Sequence, residues 1–297
     1  MADGPAGLRL ISQYVVTENG PAPATKGVFG TIEEILPQSV CEYMDQMMER
    51  AKEYQVCEQY TTAIPIGTAI AQSWNTDFAQ MCGDIVATEM EQFHVNLWLA
   101  PALNIHRNIL CGRNFEYYSE DPLISGKIAA ALIRGVQHHA HCGATIKHFA
   151  ANNQEYNRYN NNSIVSERAL REIYLRGFEF CIRENSPAAV MTSYNLINGV
   201  HTSENRGLVT DILRCEWGFQ GIVMTDWIAT GQIINPHSKH PPAHTSDIVK
   251  AGNDITMAGC QTDYDDLIVA LKKGKILRED FLVCASRVLD LIDSYFT

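Results

Sequence analysis

At 297 residues, the chain is long enough to bury a large core, and single α/β barrels commonly reach this size. Its hydrophobic share of 46% and charged share of 19% are those of a globular protein and exclude a disordered chain. A formal net charge of -11 argues against nucleic acid or an anionic membrane surface as a partner, because either partner needs a basic protein face.

The sequence shows no targeting segment and no disulfide framework. The N-terminus lacks a basic region followed by an apolar one, and no stretch approaches the roughly 18 apolar residues of a membrane-spanning helix. The nine cysteines are scattered without a Cys-x-x-Cys pair, which also argues against a zinc ribbon. We therefore expect a cytoplasmic protein with reduced thiols and without a metal or cofactor.

The elements begin with a long insertion at about residues 10–62, followed by six short apolar runs that alternate with amphipathic segments. The runs are nearly continuously apolar, as expected of parallel strands covered on both faces. In chain order they are TAIPIG, VNLWLAPALNI, GATIKHFA, PAAVMTSYN, GIVMTDW and DITMAG.

The segments between the runs predict helices. Asn75 and Ser166 are suitable N-caps, and apolar residues recur at helical spacing after both. Further helices are predicted around residues 124–132 and 208–213 and from Asp280 to Phe296. The alternation predicts an α/β fold, a (β/α)8 TIM-like barrel that forms a single domain over residues 1–297.

Polar residues stand where four of the apolar runs end, and the carboxyl ends of parallel barrel strands share one pocket. The following loops add Arg113 and Arg158, and the second of these loops, NNQEYNRYNNN at residues 152–162, is long enough to be a binding loop. The strand-end groups are Asn104-Ile105-His106, Lys147-His148, Ser193-Tyr194-Asn195 and Thr225-Asp226-Trp227.

This predicted pocket surrounds one carboxylate, Asp226, with cations, neutral hydrogen-bonding groups and an aromatic platform. A polyhydroxylated ring needs charged groups for its hydroxyls and a flat aromatic face for its C–H patches. We expect the cations to lower the pKa of Asp226, which would keep the carboxylate ionised and suited to act as a nucleophile. The pocket is therefore predicted to bind a sugar.

Six motifs carry a resemblance to the family 3 glycoside hydrolases, the β-glucosidases in particular. They occur in family order and span nearly the whole chain, which makes the resemblance specific. The motifs are DGPAGLR (residues 3–9), GRNFEYYSEDP (112–122), KHF (147–149), SERALREIYL (166–175), MTSYNLINGV (191–200) and EWGFQGIVMTDW (216–227).

The resemblance implies a retaining mechanism on a β-glucoside or a short β-linked oligosaccharide. Asp226 would attack the anomeric carbon and form a covalent glycosyl-enzyme that water then hydrolyses. Tyr194 and Trp227 would line the subsite of the non-reducing-end sugar. The residues that the resemblance assigns to its hydroxyls are Asp3, Arg113, Lys147, His148 and Arg158.

The sequence departs from the family pattern in two places. A retaining enzyme needs a second carboxyl group about 5 to 5.5 Å from the first, and two-domain members take it from a separate α/β domain that we do not find in this chain. Glu116 and Glu155 are the local alternatives, without a supporting motif. The first barrel strand is also expected to be incomplete, since only Met1 and Ala2 precede Asp3. The alternative function is therefore a catalytically incomplete sugar-binding fragment.

Two other groups of residues allow a further interpretation each. A lysine at a barrel strand end can form a Schiff base, so Lys147 leaves a class I aldolase or lyase open. His138, His139, His141 and Cys142 resemble metal ligands, but they follow a helix on the face opposite the predicted pocket. Their spacing matches no standard zinc pattern, which favours a solvated helix terminus.

Overall fold

The computed structural model describes residues 1–27, 38–230 and 239–295. The strands of these residues are β1 (Ala2–Asp3), β2 (Gln13–Thr17), β3 (Gly20–Pro23), β4 (Val56–Glu58), β5 (Leu97–Leu99), β6 (Gly143–Phe149), β7 (Asn162–Ser163), β8 (Ala189–Thr192), β9 (Leu196–Ile197), β10 (Val200–His201) and β11 (Ile222–Met224).

The α-helices of the described residues are α1 (Gln38–Ala51), α2 (Gly67–Gln72), α3 (Thr76–Gln92), α4 (Pro122–Gln137), α5 (Glu167–Ala169), α6 (Arg176–Asn185), α7 (Thr245–Ala251), α8 (Gln261–Lys272) and α9 (Arg278–Tyr295). Two segments are π-helical, Leu170–Tyr174 between α5 and α6 and Gly207–Glu216 before β11. A 3₁₀ turn at Arg158–Asn160 lies in the predicted binding loop.

The central sheet is parallel, with its strands in chain order: β1, β5, β6, β8 and β11. A parallel bridge from Met224 to Ile255 extends it at the far edge. Every residue of β5, β6, β8 and β11 is buried, because both faces of the sheet are covered. One face belongs to a core shared with α3, α4 and α6, and the other packs against Met257 and side chains of α9. The alternating strand and helix pattern predicted from the sequence is thus present.

The prediction of a first strand at TAIPIG (residues 62–67) is wrong. Residues 60–66 have no regular structure and lead directly into α2. Pro65 has no amide hydrogen to donate to a sheet, and the amide of Ile64 donates instead to the carbonyl of Ala6 (3.1 Å). The strand that occupies this edge of the sheet is β1, which is only two residues long and pairs with Trp98 and Leu99.

The inserted segment contains structure of its own. Strand β2 pairs antiparallel with both β3 and β4, and α1 lies between β3 and β4 in the chain. Gln59 ties the end of this unit back to Ile11, since its side chain donates to the Ile11 carbonyl (2.7 Å). The segment after β4 thus lies beside the segment that follows β1, at the start of the barrel.

The predicted helix starts are confirmed. The side chain of Asn75 accepts hydrogen bonds from the amides of Asp77 (2.9 Å) and Phe78 (3.1 Å) at the start of α3. Ser166 caps α5 by accepting from the amide of Ala169 (3.3 Å). Such caps satisfy backbone donors that a helix leaves without a partner in its first turn.

Glycines allow α3 and α4 to pack closely against each other. A Cβ atom on Gly83 of α3 would lie 2.2 Å from the carbonyl oxygen of Leu132, and one on Gly135 of α4 would lie 2.1 Å from that of Gln80. No real Cβ atom makes such contacts, so the two backbones depend on glycine at both positions. The contact supports the core that α3 and α4 form with β5 and β6.

Strand β6 is irregular where it reaches the predicted pocket. Its pairing with β8 is regular at Thr145 and Ile146 and shifts register before Phe149. In a regular strand, consecutive side chains point to opposite faces, whereas a register shift re-aims them. Lys147 and His148 lie within this shift, and both side chains contribute to the same cluster.

No helix in the described ranges is both long and apolar enough to cross a membrane.

Candidate active site

Asp226 lies just beyond the carboxyl end of β11, in line with the sequence prediction. Its backbone amide donates to the carbonyl of Thr192 at the end of β8 (3.2 Å), so two strands fix its place. The residue is 6% exposed, and its Oδ1 atom accepts a hydrogen bond from the amide of Trp227 (2.7 Å). One carboxylate oxygen is therefore held by the backbone, and Oδ2 lies 3.8 Å from Nε2 of His148.

The cations lower the pKa of Asp226 as expected, but the net shift of this pKa is upward. Burial raises the pKa of this carboxyl group, while Arg113, Lys147, the Trp227 amide and Arg158 lower it. The net result is a pKa above the ordinary aspartate value, because the loss of hydration outweighs the attraction of the cations.

Lys147 is almost fully buried, and it forms an ion pair with Asp3 (Nζ to Oδ1, 2.6 Å). The other oxygen of Asp3 pairs with Arg9 (Oδ2 to Nη2, 2.5 Å). Burial alone would raise the pKa of Asp3, but Lys147 and Arg9 together hold it below the ordinary value. The two predicted hydroxyl-binding residues are thus brought together, and Lys147 is placed as a paired cation rather than as a Schiff-base amine.

Arg113 and Arg158 also face the cluster, each with a carboxylate partner. Arg113 pairs through Nε with Oε1 of Glu116, which is 4% exposed at its side chain. Arg158 pairs through Nη1 with Oε2 of Glu155 (3.0 Å). Glu116 and Glu155, which the sequence left as candidates for the acid/base, are therefore the partners of these two arginines.

Burial is the largest cause of the raised pKa of Asp226, and the cations offset only part of it. Lys147, Arg113 and Arg158, which lower this pKa, each have a carboxylate within ion-pair distance. A paired cation exerts a weaker field than a free one. The energetic cost of burying the Asp226 carboxylate is therefore only partly offset.

His148 is held by its backbone rather than by its ring. Asn104, at the end of the preceding strand segment, donates to the His148 carbonyl (2.9 Å) and accepts from its amide (2.8 Å). Burial and the nearby cations Arg113, Lys147 and Arg158 place the pKa of His148 well below its ordinary value. The imidazole is thus neutral and can offer a hydrogen bond to a ligand bound beside Asp226.

Tyr194 and Trp227 form the aromatic side of the site, next to Asp226. The hydroxyl of Tyr194 donates to the Trp227 carbonyl (2.7 Å), and burial, together with the charge of Asp226, raises its pKa far above the ordinary value. Trp227 is 42% exposed, so its indole is accessible to a ligand. The guanidinium of Arg158 lies 4.7 Å from the centre of the Tyr194 ring, and Tyr159 packs edge-on against the same ring.

Several strand-end residues that the sequence predicts to face the pocket make hydrogen bonds to backbone carbonyls of the fold. The ring of His106 bonds to the carbonyl of Asn114 (2.9 Å) in its own loop. Ser193 and Asn195 both donate to the carbonyl of Ala150, at 3.1 and 3.2 Å. These contacts fix the loops that carry the charged residues.

Two residues of the cluster were missed from the sequence. Arg9, the second cation on Asp3, lies in the DGPAGLR motif that was already recognised, and its position near Asp3 could have suggested it. Tyr159 directly follows Arg158, but nothing in the composition of a polar loop indicates that it packs on Tyr194. A metal-ligand cluster of three or more His, Cys, Asp or Glu side chains is not found among the described residues.

A family model described as the N-terminal domain of glycosyl hydrolase family 3 matches residues 49–291. The chain belongs to glycosyl hydrolase family 3. Among curated relatives, β-glucosidase A of Butyrivibrio fibrisolvens is 47% identical over 220 residues, and an exo-α-(1→6)-L-arabinopyranosidase of Bifidobacterium breve is 40% identical over 232 residues. These matches cover 74% and 78% of this chain but 25% and 29% of the relatives.

Solved structures of the family agree with the fold. β-Glucosidase 3B from Thermotoga neapolitana in complex with glucose superposes with a TM-score of 0.77 at 38% identity, over 98% of this chain and 35% of that one. The glucose complex of a β-glucosidase from Kluyveromyces marxianus gives 0.72 at 34% identity, over 79% of this chain and 27% of that one. The predicted family and its TIM-like α/β fold are confirmed, and the chain spans about a quarter to a third of these relatives.

Proposed function

We propose that the chain is the catalytic barrel of a retaining β-glycosidase that removes the non-reducing-end sugar from a β-glucoside or a short β-linked oligosaccharide. The observation that carries the proposal is the state of Asp226. Its carboxylate is buried at the strand end, one oxygen is fixed by the Trp227 amide, and the other points toward a neutral histidine at 3.8 Å. This leaves Oδ2 available to attack.

In the proposed reaction, Oδ2 of Asp226 bonds to the anomeric carbon while the bond from that carbon to the leaving oxygen breaks. The leaving oxygen takes a proton from a general acid. Water then attacks the glycosyl-aspartate from the opposite side, with the same group acting as base, so the β configuration is retained. The positive charge that develops on the sugar is stabilised by the Asp226 carboxylate.

The sugar is proposed to be held by the paired cations. The Lys147 ammonium and the Asp3 carboxylate together offer donors and acceptors to hydroxyl groups, and Arg158 and Arg113 add rigid donors. The aromatic faces of Trp227 and Tyr194 suit the C–H patches of the ring. Relatives named as β-glucosidases, two of them solved with glucose, support glucose as the sugar.

The acid/base is proposed to come from outside this cluster. Besides Asp226, the carboxylates that contact its cations are Asp3, Glu116 and Glu155, and each is engaged in an ion pair. A general acid must instead deliver its proton to the leaving oxygen. A separate α/β domain is the proposed source, and the second candidate function is a barrel that binds sugar without turning over natural substrates by itself.

A comparison of leaving groups tests these proposals. With 2,4-dinitrophenyl β-D-glucoside, whose leaving group needs little protonation, the chain should release an initial burst of dinitrophenolate and then β-D-glucose, which proton NMR identifies before it mutarotates. Cellobiose should be turned over far more slowly. Initial release of α-D-glucose would contradict retention, and efficient hydrolysis of cellobiose would contradict the absence of an acid/base from the chain.

A further inference from the structure

Glu155 is anchored on both of its carboxylate oxygens. Oε2 accepts from Nη1 of Arg158 (3.0 Å), and Oε1 accepts from the side-chain amide of Asn152 (3.2 Å). Asn152 is 1% exposed and is hydrogen-bonded in turn to the hydroxyl of Tyr117 (3.3 Å), a fully buried residue. The carboxylate that holds Arg158 is thereby tied to the core beneath the site.

The opposite side of the Arg158 guanidinium is held by Tyr159. Nη2 of Arg158 donates to the Tyr159 hydroxyl (3.1 Å), and the guanidinium lies 5.1 Å from the centre of that ring and 4.7 Å from that of Tyr194. The two rings pack edge to face with centres 4.7 Å apart. A planar guanidinium bound at two edges and stacked on aromatic rings has little freedom to move.

We propose that Glu155 and Tyr159 are positioning residues that fix Arg158 for contact with the sugar, and that Glu155 is not the acid/base. The proposal rests on the proposed function of Asp226 and assigns a role at the same site. Both oxygens of Glu155 already accept hydrogen bonds, one of them from a paired arginine, so neither is placed to protonate a leaving group. Tyr159 keeps the guanidinium in one orientation.

The negative charge of Glu155 also offsets part of the positive charge of the site. It interacts electrostatically with Arg113 as well as with Arg158, and both arginines act on Asp226. Replacing Glu155 with glutamine keeps the shape of the side chain but leaves more positive charge facing the nucleophile, which favours its ionised form. The groups that face Asp226 are Arg113 on the loop after β5, Lys147 and His148 on β6, Arg158 on the loop after β6, and Tyr194 after β8.

The test uses 2,4-dinitrophenyl 2-deoxy-2-fluoro-β-D-glucoside, which labels a nucleophile without acid assistance. In the full chain, E155Q should lower the second-order labelling rate at least tenfold, on the order of the effect of a misplaced binding group. Y159F keeps the ring and loses one hydrogen bond, so a loss of about fivefold is expected. The matched control is E172Q, which makes the same chemical change at an exposed glutamate paired with Arg168 (3.1 Å) and should leave the rate unchanged.

The pH dependence separates positioning from a general loss of structure. In E155Q the acid limb of the labelling rate should move to lower pH, whereas a loosened fold would lower the rate at every pH without moving the limb. Labelling of E155Q at the wild-type rate would overturn the proposal, and so would acceleration of E155G turnover by azide, which marks a lost acid/base.

A binding measurement keeps this inference separate from the proposed function. If the wild-type chain is not labelled but binds 1-deoxynojirimycin, E155Q should weaken that binding at least tenfold, and equal affinity would overturn the positioning role. If the wild-type chain neither reacts with the fluoroglucoside nor binds 1-deoxynojirimycin, the proposed function fails first, and the role of Glu155 fails with it.

Discussion

Nε2 of His148 lies 3.8 Å from Oδ2 of Asp226, and burial favours the uncharged form of both groups. Burial lowers the pKa of the imidazole well below its ordinary value, while burial raises the pKa of the carboxyl group. A charged histidine would form an ion pair with the Asp226 carboxylate and hold it in place. A neutral one leaves the carboxylate free for the proposed attack and still offers a hydrogen bond.

The raised pKa of Asp226 predicts the acid limb of its reaction. In the proposed mechanism only the carboxylate attacks, so the second-order labelling rate should fall as the pH drops through a pKa above the ordinary aspartate value of 3.8. The second-order rate of labelling with 2,4-dinitrophenyl 2-deoxy-2-fluoro-β-D-glucoside, measured as a function of pH, reports this pKa in the free enzyme. A limb at or below 3.8 would show that the cations outweigh burial.

The limb should belong to Asp226 and not to His148. Because the pKa of His148 is lowered, its protonation does not contribute near its ordinary value of 6.5. H148N is therefore expected to label more slowly but with the acid limb still present. Loss of the limb in H148N would assign it to the histidine.

The same pKa shift predicts that D226N is more stable than the wild-type chain at neutral pH. A carboxyl group whose pKa is higher in the folded than in the unfolded state destabilises the fold when it is ionised, and this penalty disappears as the pH falls toward 3.8. Asn has no charge to bury. Measured by urea unfolding, the gain in free energy of unfolding of D226N over wild type should be larger at pH 7 than at pH 4. A gain at pH 7 that is equal to or smaller than the gain at pH 4 would contradict the shift.

Asp3 should behave in the opposite way. Its pKa is lowered by Lys147 and Arg9, so its contribution to stability is present above its unfolded value of about 3.8 and is lost as the pH falls through the lower folded value. D3N should destabilise the chain at pH 7 by about 1 to 3 kcal/mol, since it leaves the buried Lys147 ammonium without its partner.

The matched comparison for D3N is E172Q, which removes an exposed ion pair from the surface. Such pairs contribute little, so E172Q should unfold at nearly the same urea concentration as wild type. If D3N also unfolds there, the Lys147 pair has no stabilising role.

The close approach of α3 and α4 predicts a large effect of one methyl group. G135A would place a Cβ atom 2.1 Å from the carbonyl of Gln80, which forces the helices apart and should cost about 3 kcal/mol. The control is G112A, whose Cβ atom would be in ordinary contact with Glu155 (3.8 Å). Thermal unfolding should therefore show a clear fall in Tm for G135A and a small change for G112A, and equal Tm values would contradict the packing.

The sequence predicts the strand and helix alternation because both depend on local patterns. Apolar runs identify β5, β6, β8 and β11, and the caps at Asn75 and Ser166 identify helix starts. The TAIPIG prediction fails because it follows the apolar run and overlooks Pro65, which has no amide hydrogen for a sheet, while the bond from Ile64 to Ala6 depends on the fold. An apolar run alone does not distinguish a buried strand from an extended segment that is largely exposed, as residues 62–66 are.

The candidate site could be predicted only in part. The positions of Asp226 and Lys147 after apolar runs were enough to bring them together, since parallel strands end at one side of a barrel. The pairing of each cation with its own carboxylate could not be predicted, because it depends on distances such as the 3.0 Å between Arg158 and Glu155. The pKa of Asp226 lies above and not below its ordinary value because burial of the carboxyl group outweighs the cations, and the extent of that burial is known only from the fold.

The most direct test of Asp226 as the nucleophile is to identify the residue that carries the 2-deoxy-2-fluoro-α-D-glucosyl label. After reaction of the chain with the dinitrophenyl fluoroglucoside, intact mass should rise by one fluoroglucosyl group, and peptide mass spectrometry should place it on Asp226 within the segment 216–227. D226N should take up no label while remaining folded. Label on any other residue, or equal labelling of D226N, would contradict the assignment of Asp226 as the nucleophile.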